Sequence, residues 1–295
     1  MMYEVFSGMD EKLFFEKFPE RPKGSHKGAF GKILLISGSY GMAGAACLSI
    51  TGAKAIGAQY INVALPEDIY GIVASRHITP VYYPYYSGAN NTEFNGGPQT
   101  ISALLPNVRA VCFGSGADNN KSALAIFNTL LKGCRVPLVL DAKALRLIKQ
   151  FDADLREFSC PVILTPHQGE FSALADVPLA EVIEDPVSCA AAYAAEKGVI
   201  MVLKGPHTAV AAPDGRYYYN DSGNNALAQA GSGDVLAGMM TAMCSFFEDP
   251  FEAACMAVFF HGHIADVGIR THSRQCFPLE EYVSIADGIF FDQGR

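Results

Sequence analysis

The chain has 295 residues, 50% of them hydrophobic and 18% charged, with a formal net charge of −8. That length and apolarity suffice for one large core, so residues 1–295 are expected to fold as a single domain. The acidic balance argues against nucleic acid or an anionic membrane as partner, because both require clustered Lys and Arg; any phosphate must be held by local devices.

Short apolar runs alternate with helical patterns along the chain. Strands are predicted at 33–36, 61–64, 110–113, 137–140, 162–164 and 199–203, separated by helical stretches such as 45–57, 121–131 and 186–197. This alternation implies an α/β fold, a mostly parallel central sheet with helices on both faces. Residues 76–98, rich in Tyr82, Tyr83, Tyr85, Tyr86, Asn90, Asn91, Gly96 and Gly97, read as an irregular, packed loop, either a substrate rim or a subunit contact. Thr208 to Ala212 and Arg216 to Tyr219 flank Pro213-Asp214-Gly215 and read as a hairpin on the sheet edge. Two long helices, about 231–247 and 250–268, are expected to follow.

Residues 33–53 lack charge, but Gly38, Gly41 and Gly44 interrupt them and no basic-then-apolar leader precedes them, so no membrane span is expected. Eight cysteines at 47, 112, 134, 160, 189, 244, 255 and 276 form no Cys-x-x-Cys pair. That scatter fits reduced, buried thiols and a cytoplasmic location better than zinc or disulfides.

The chemistry concentrates in residues 220–238. Ala230, Gly231, Ser232 and Gly233 lead into Asp234 and then into the apolar helical pattern of Val235, Leu236, Met239, Met240 and Met243. A helix starting here leaves its first N–H groups without intrahelical partners and its dipole positive at that end, a ready seat for a phosphoryl group. Asp234, in the first turn, is placed to accept a proton from a substrate hydroxyl. The plainer reading is an Asp complementing the dipole behind a Ser232 N-cap. Four glycines at 223, 231, 233 and 238 exceed what capping needs and suggest backbone packed against a ligand.

Other candidates lie just past predicted strands. Gly114-Ser-Gly116-Ala-Asp-Asn119 lacks the last glycine of a dinucleotide fingerprint, and no Gly-x-x-x-x-Gly-Lys-Ser/Thr occurs, which excludes both familiar phosphate motifs. Gly114 and Gly116 serve either the ligand crevice or a tight turn. Gly41, Gly44, Ala45 and Ala46 allow either a flat ring or tight helix packing at the next helix start. His167 and Glu170 are each unremarkable alone, a hydrogen-bonding group and a solvated or capping carboxylate, yet their joint placement after a strand favours a site. Lys204 ends an apolar strand and either reaches a phosphate or snorkels; Asp141 also ends a strand and has no assigned role.

The string Gly-Asn-Asn-Ala-Leu-Ala-Gln-Ala-Gly-Ser-Gly-Asp-Val-Leu-Ala-Gly resembles the ADP/ATP-dependent NAD(P)H-hydrate dehydratase family of the ribokinase-like superfamily. Lys27 to Ala58, Val139 to Leu147, Thr165-Pro166-His167-Gln168-Gly169-Glu170 and Leu203-Lys204-Gly205 fall in that family's order, so the resemblance spans about residues 24–270. The family usually has Gly where Asp118 stands, Asp where Lys143 stands and Pro where Gln168 stands. The resemblance implies that Asp234 is the catalytic base and that Ala45, Gly116 and His167, with Asp234, contact the hydrated nicotinamide nucleotide. It further implies that Lys204, Gly205, Pro206, His207 and Thr208, with Ala230, Gly231, Ser232 and Gly233, bind ADP or ATP, and that Glu170 holds Mg²⁺ through water. The implied reaction is dehydration of hydrated NADH or NADPH by phosphorylating the ring hydroxyl and eliminating phosphate, in a homo-oligomer. A small-molecule kinase of the same superfamily, acting on a hydroxymethylpyrimidine or thiazole alcohol, is the alternative.

Overall fold

The computed structural model describes the backbone of residues 4–5 and all of residues 8–25, 30–86, 96–118 and 120–295. Ten strands among them, β1 (Glu4–Val5), β2 (Lys32–Ile36), β3 (Tyr60–Pro66), β4 (Val81–Tyr85), β5 (Ala110–Phe113), β6 (Leu138–Leu140), β7 (Val162–Leu164), β8 (Ile200–Leu203), β9 (Ala209–Ala211) and β10 (Arg216–Tyr219), form one sheet. Its order is β1-β10-β9-β8-β7-β6-β5-β2-β3-β4. Every pairing from β4 across to β8 is parallel, β9 is antiparallel to both β8 and β10, and β1 adds parallel to β10. The expected hairpin therefore closes one end of the sheet, with a two-residue strand outside it.

Parallel strands need a crossover between neighbours, and these crossovers cover both faces. One face packs α1 (Glu11–Lys17), α2 (Ala43–Ala55), α3 (Glu67–Arg76), α10 (Ser232–Phe246), α11 (Pro250–Gly268) and α12 (Tyr282–Asp292); the other packs α4 (Gly97–Leu104), α5 (Lys121–Gly133), α6 (Lys143–Gln150), α7 (Gln168–Ala175), α8 (Leu179–Glu184) and α9 (Pro186–Lys197). The two-residue period of a strand divides β2 between these cores: Ile33 and Leu35 face the first, Leu34 and Ile36 the second. No helix among the described residues is long and apolar enough to cross a membrane.

The 76–98 expectation needs correction. The segment holds the end of α3 and the strand β4, whose Val81, Tyr82, Tyr83, Pro84 and Tyr85 pair in register with Asn62 to Pro66. β4 lies at the sheet's edge, the place where a strand tolerates proline, and its tyrosines suit a half-buried pleated surface. Tyr85 is buried, whereas Asn90 and Asn91 lie outside the described residues. The helix α1 was not expected either. Asp10 caps it by accepting from Leu13 N–H at 2.8 Å, and Phe14 stacks on Phe260 with centroids 4.3 Å apart.

α2 and α10 meet backbone to backbone. A Cβ built on Gly238 would lie 1.9 Å from Ser49 O, and one on Gly52 would lie 2.0 Å from Val235 O. Gly238→Ala is therefore expected to cost about 2–4 kcal/mol, since neither helix backbone can yield locally. Urea unfolding checks this against Gly71→Ala in α3, where a Cβ meets nothing within 4 Å and the gain in helix propensity is expected to leave stability unchanged or slightly higher.

Candidate active site

The carboxyl ends of β2, β5, β6, β7 and β8 converge on one crevice, and the loops leaving them are tied together. Gly38 N–H donates to Ser115 O at 2.9 Å, Ser37 Oγ to Ser115 O at 2.8 Å, and Ser39 Oγ to Gly116 O at 2.8 Å. Gly116 sits at φ +63°, and a Cβ there would lie 2.5 Å from the Ala45 methyl. Ala45 and Gly116 thus meet. Asn119 and residues 26–29 lie outside the described residues.

Asp141, left without a role by sequence, is the hub. Its buried carboxylate accepts from Ser115 Oγ at 2.9 Å, Thr165 Oγ1 at 2.7 Å and Lys204 Nζ at 3.1 Å. The next residue, Ala142, holds φ +46°, a conformation costly for a side chain with a Cβ. Ser115 and Thr165 join this network although sequence alone assigns neither a role; each is a hydroxyl residue just past a predicted strand.

Lys204 projects over the start of α10: a Cβ on Gly233 would lie 3.0 Å from its Nζ. Burial works against the ammonium, but Asp141, Glu170 and Asp234 outweigh it and hold its pKa above the ordinary value. Asp234 behaves oppositely. Burial pushes its pKa up to about 6, and Asp141 adds to this, while Lys204 and the Ser115 hydroxyl pull it back. A carboxyl so tuned changes protonation near neutral pH, as a general base must.

Among the described residues, five helices begin with a side chain that accepts from their first N–H groups: Asp10 for α1, Asn120 for α5, His167 for α7, Asp185 for α9 and Asp249 for α11. α10 has no such cap. Gly231, at φ +95°, occupies its N-cap position, and Ser232 is the first helical residue rather than the cap. α2, α3, α4, α6, α8 and α12 also start without a side-chain cap, but only α10 has Lys204 Nζ over its first turn, at Gly233, with Asp234 next in the chain, a combination that suits a phosphoryl group.

His167 and Glu170 form a capping box on α7. Nδ1 of His167 accepts from Gly169 N–H at 3.1 Å and Glu170 N–H at 3.2 Å, while Glu170 Oε2 accepts from His167 N–H at 3.0 Å. The imidazole is exposed, its Nε2 lies 3.5 Å from Glu170 Oε2, and a parallel β-bridge from His167 to Lys204 holds the turn against β8. Gly205, Pro206 and His207 are exposed beyond Lys204, with His207 stacked on Tyr219 at 5.4 Å; Thr208 is buried, and Ala230 is exposed ahead of Gly231. Asp234, Lys204, Glu170 and Asp141 therefore form one electrostatic cluster; Gly116 is next in the chain to Ser115, Ala45 is buried against Gly116, and His167 caps the helix that carries Glu170.

A profile of the NAD(P)H-hydrate dehydratase family matches residues 33–284. The chain is 34% identical over 268 residues to the ADP-dependent (S)-NAD(P)H-hydrate dehydratase of Bacillus subtilis strain 168, covering 90% of this chain and 91% of that one. It is 32% identical to the bifunctional NAD(P)H-hydrate repair enzyme Nnr of Moorella thermoacetica over 88% of this chain and 49% of the relative, so it spans about half the length of that bifunctional protein. The crystal structure of the ADP/ATP-dependent NAD(P)H-hydrate dehydratase from Bacillus subtilis, co-crystallised with ATP and Mg²⁺, superposes with a TM-score of 0.85 at 31% identity over 99% of both chains. The fold recurs in a ribokinase-like superfamily protein from Enterococcus faecalis V583, at a TM-score of 0.83 and 22% identity over 98% of this chain and 95% of that one. The uncapped glycine-rich helix start, its buried carboxyl and these matches converge: the chain belongs to the NAD(P)H-hydrate dehydratase family and has the ribokinase-like α/β fold.

Proposed function

We propose that this chain is a single catalytic unit that restores hydrated NADH or NADPH by nucleotide-driven dehydration. The observation that carries the reading is Asp234, its pKa pushed up to about 6, in the first turn of an uncapped helix beside Lys204. Hydroxide is a poor leaving group, whereas phosphate is a good one. Asp234 takes the proton of the ring hydroxyl, whose oxygen attacks the terminal phosphorus of ADP or ATP. The Ala230 to Gly233 backbone and Lys204 stabilise charge on the transferred group. The ring nitrogen's lone pair then expels phosphate and regenerates the dihydronicotinamide, leaving AMP or ADP.

Ala45, Gly116 and His167 are the proposed contacts to the nicotinamide nucleotide, and Lys204 to Thr208 the contacts to the adenine nucleotide. No group of three His, Cys, Asp or Glu among the described residues forms a direct metal cage. Glu170 and Asp141 offer hard carboxylate oxygens around Lys204, which fits Mg²⁺ held through its own water. That ion would neutralise phosphate charge. Eight free thiols accord with a cytoplasmic location, and self-association is the proposed assembly.

Glu170→Gln separates the metal role from the cap. The new amide oxygen can still accept from His167 N–H, so folding is expected to hold while the Mg²⁺ needed for half-maximal activity rises about 10–100-fold. An unchanged magnesium titration returns Glu170 to capping alone.

The reaction class is decided by product analysis. With hydrated NADPH and ADP or ATP, absorbance of the reduced nicotinamide is expected to return with one inorganic phosphate released per substrate and no phosphorylated product accumulating. Recovery of a stable phosphate ester from a pyrimidine or thiazole alcohol, with no nicotinamide signal from either hydrate, would make the chain a kinase instead.

A further inference from the structure

The segment leading into the phosphate-binding turn is held from behind by α11. Asp266 accepts from Gly223 N–H and from Asn224 Nδ2, both at 2.7 Å. The two backbones are in close contact there, since a Cβ on Gly262 would lie 2.6 Å from Ser222 O and one on Gly223 would lie 3.1 Å from Gly262 Cα. Gly223 is at φ +100°, so the turn has little freedom to accept a side chain.

From Asn224 the restraint is passed forward. Asn224 Oδ1 accepts from Ala226 N–H at 3.0 Å, Ala226 O accepts from Gln229 Nε2 at 2.8 Å, and Gln229 O accepts from Ser232 N–H at 3.4 Å. Gln229 Nε2 also reaches Phe277 O at 3.0 Å. Five residues before Asp266 in the same helix, the buried His261 interacts with the Ser232 backbone; burial pushes its pKa down to about 4, which leaves the ring neutral behind the helix start.

We propose that Asp266 is the positioning residue for the Ala230 to Gly233 turn, acting through Gly223 and Asn224 on the amide groups that receive phosphate. It touches neither substrate nor nucleotide. The inference rests on the reading that this turn binds the nucleotide phosphates.

The geometry supplies its own test, because the two oxygens of Asp266 serve two different donors. Asp266→Asn leaves one acceptor for both, and Asn224→Asp sets two carboxylates face to face. In the double swap the new carboxylate at 224 accepts from Ala226 N–H and from the new amide at 266, whose oxygen accepts from Gly223 N–H. Every hydrogen bond returns, with net charge unchanged.

For Asp266→Asn, affinity for Mg·ADP by calorimetry is expected to fall about tenfold or more, the scale of one charged hydrogen bond, and amide exchange over 223–233 to accelerate. The double swap is expected to recover both. Should Asp266→Asn fail to fold, Asn224→Ala, which keeps the Gly223 bond, is expected to show the same two changes more weakly. A lowered melting temperature with ADP affinity and loop exchange unchanged would overturn the proposal, as would an affinity that the swap does not restore. Amide exchange requires no ligand, so a wild-type protein that ignores ADP would refute the dehydratase reading while the exchange series still decided the role of Asp266.

Discussion

Asp234→Asn is expected to lower turnover by about 10²–10⁴-fold and to make the protein more stable above neutral pH. The first effect follows from losing a base placed at the start of α10. The second follows from linkage. The folded pKa of about 6 lies above the ordinary 3.8, so the folded state binds this proton more tightly than the unfolded chain does. Its contribution is fully present below pH 4 and is lost as pH rises through about 6; above that, the buried carboxylate is a net cost. Asparagine removes a penalty of up to about 3 kcal/mol at pH 8, and the gap between variant and wild type should close toward pH 4. In the wild type, kcat/KM should rise with pH through about 6 as the base ionises. Thermal melts across that range, run beside a pH–rate profile, check all three. A variant with near-normal turnover would leave Asp234 as a complement to the helix dipole.

Gly233→Val is expected to weaken adenine nucleotide binding at least about 100-fold while leaving the fold intact, the scale seen for losing one preorganised donor. Gly233 differs from Gly231 two residues earlier. Gly231 has φ +95°, and a Cβ there would lie 2.3 Å from Leu48 Cδ1, so substitution strains both backbone and core. Gly233 lies inside α10 without such strain, and the atom it meets is the ammonium of Lys204. A branched side chain at this point both covers the first-turn N–H groups and pushes Lys204 off Asp141. Calorimetry with Mg·ADP, alongside circular dichroism, separates lost binding from lost fold. Wild-type affinity in a folded variant would mean that the nucleotide does not approach this backbone.

Strands buried on both faces were readable because a parallel sheet demands unbroken apolar runs, and β2, β3, β5, β6, β7 and β8 have them. β4 was hidden because Pro84 signals a break, and only its edge position makes the proline acceptable. The helix start at Gly231-Ser232-Gly233-Asp234 was legible for a different reason: its signal, small residues running into an apolar helical pattern, is local and confined to one turn. Asp141 shows the converse. Its partners Ser115, Thr165 and Lys204 lie 26, 24 and 63 residues away, and only the side-by-side order of β5, β6, β7 and β8 brings their ends together. His167 and Glu170 carry two meanings at one spacing, since a three-residue separation suits both a capping box and a pair facing a ligand.

The backbone contact between α2 and α10 also limits which molecules the crevice can admit. Gly238 and Gly52 allow no slack, and the Ser49 contact lies within two turns of the α10 start. The loop feeding α2 and the turn opening α10 therefore ride on a single stiff frame, and their spacing is set before any ligand arrives. A fixed gap acts as a gauge. A space bounded by two parts on one stiff frame admits a ligand by its length and shape rather than by closing on it.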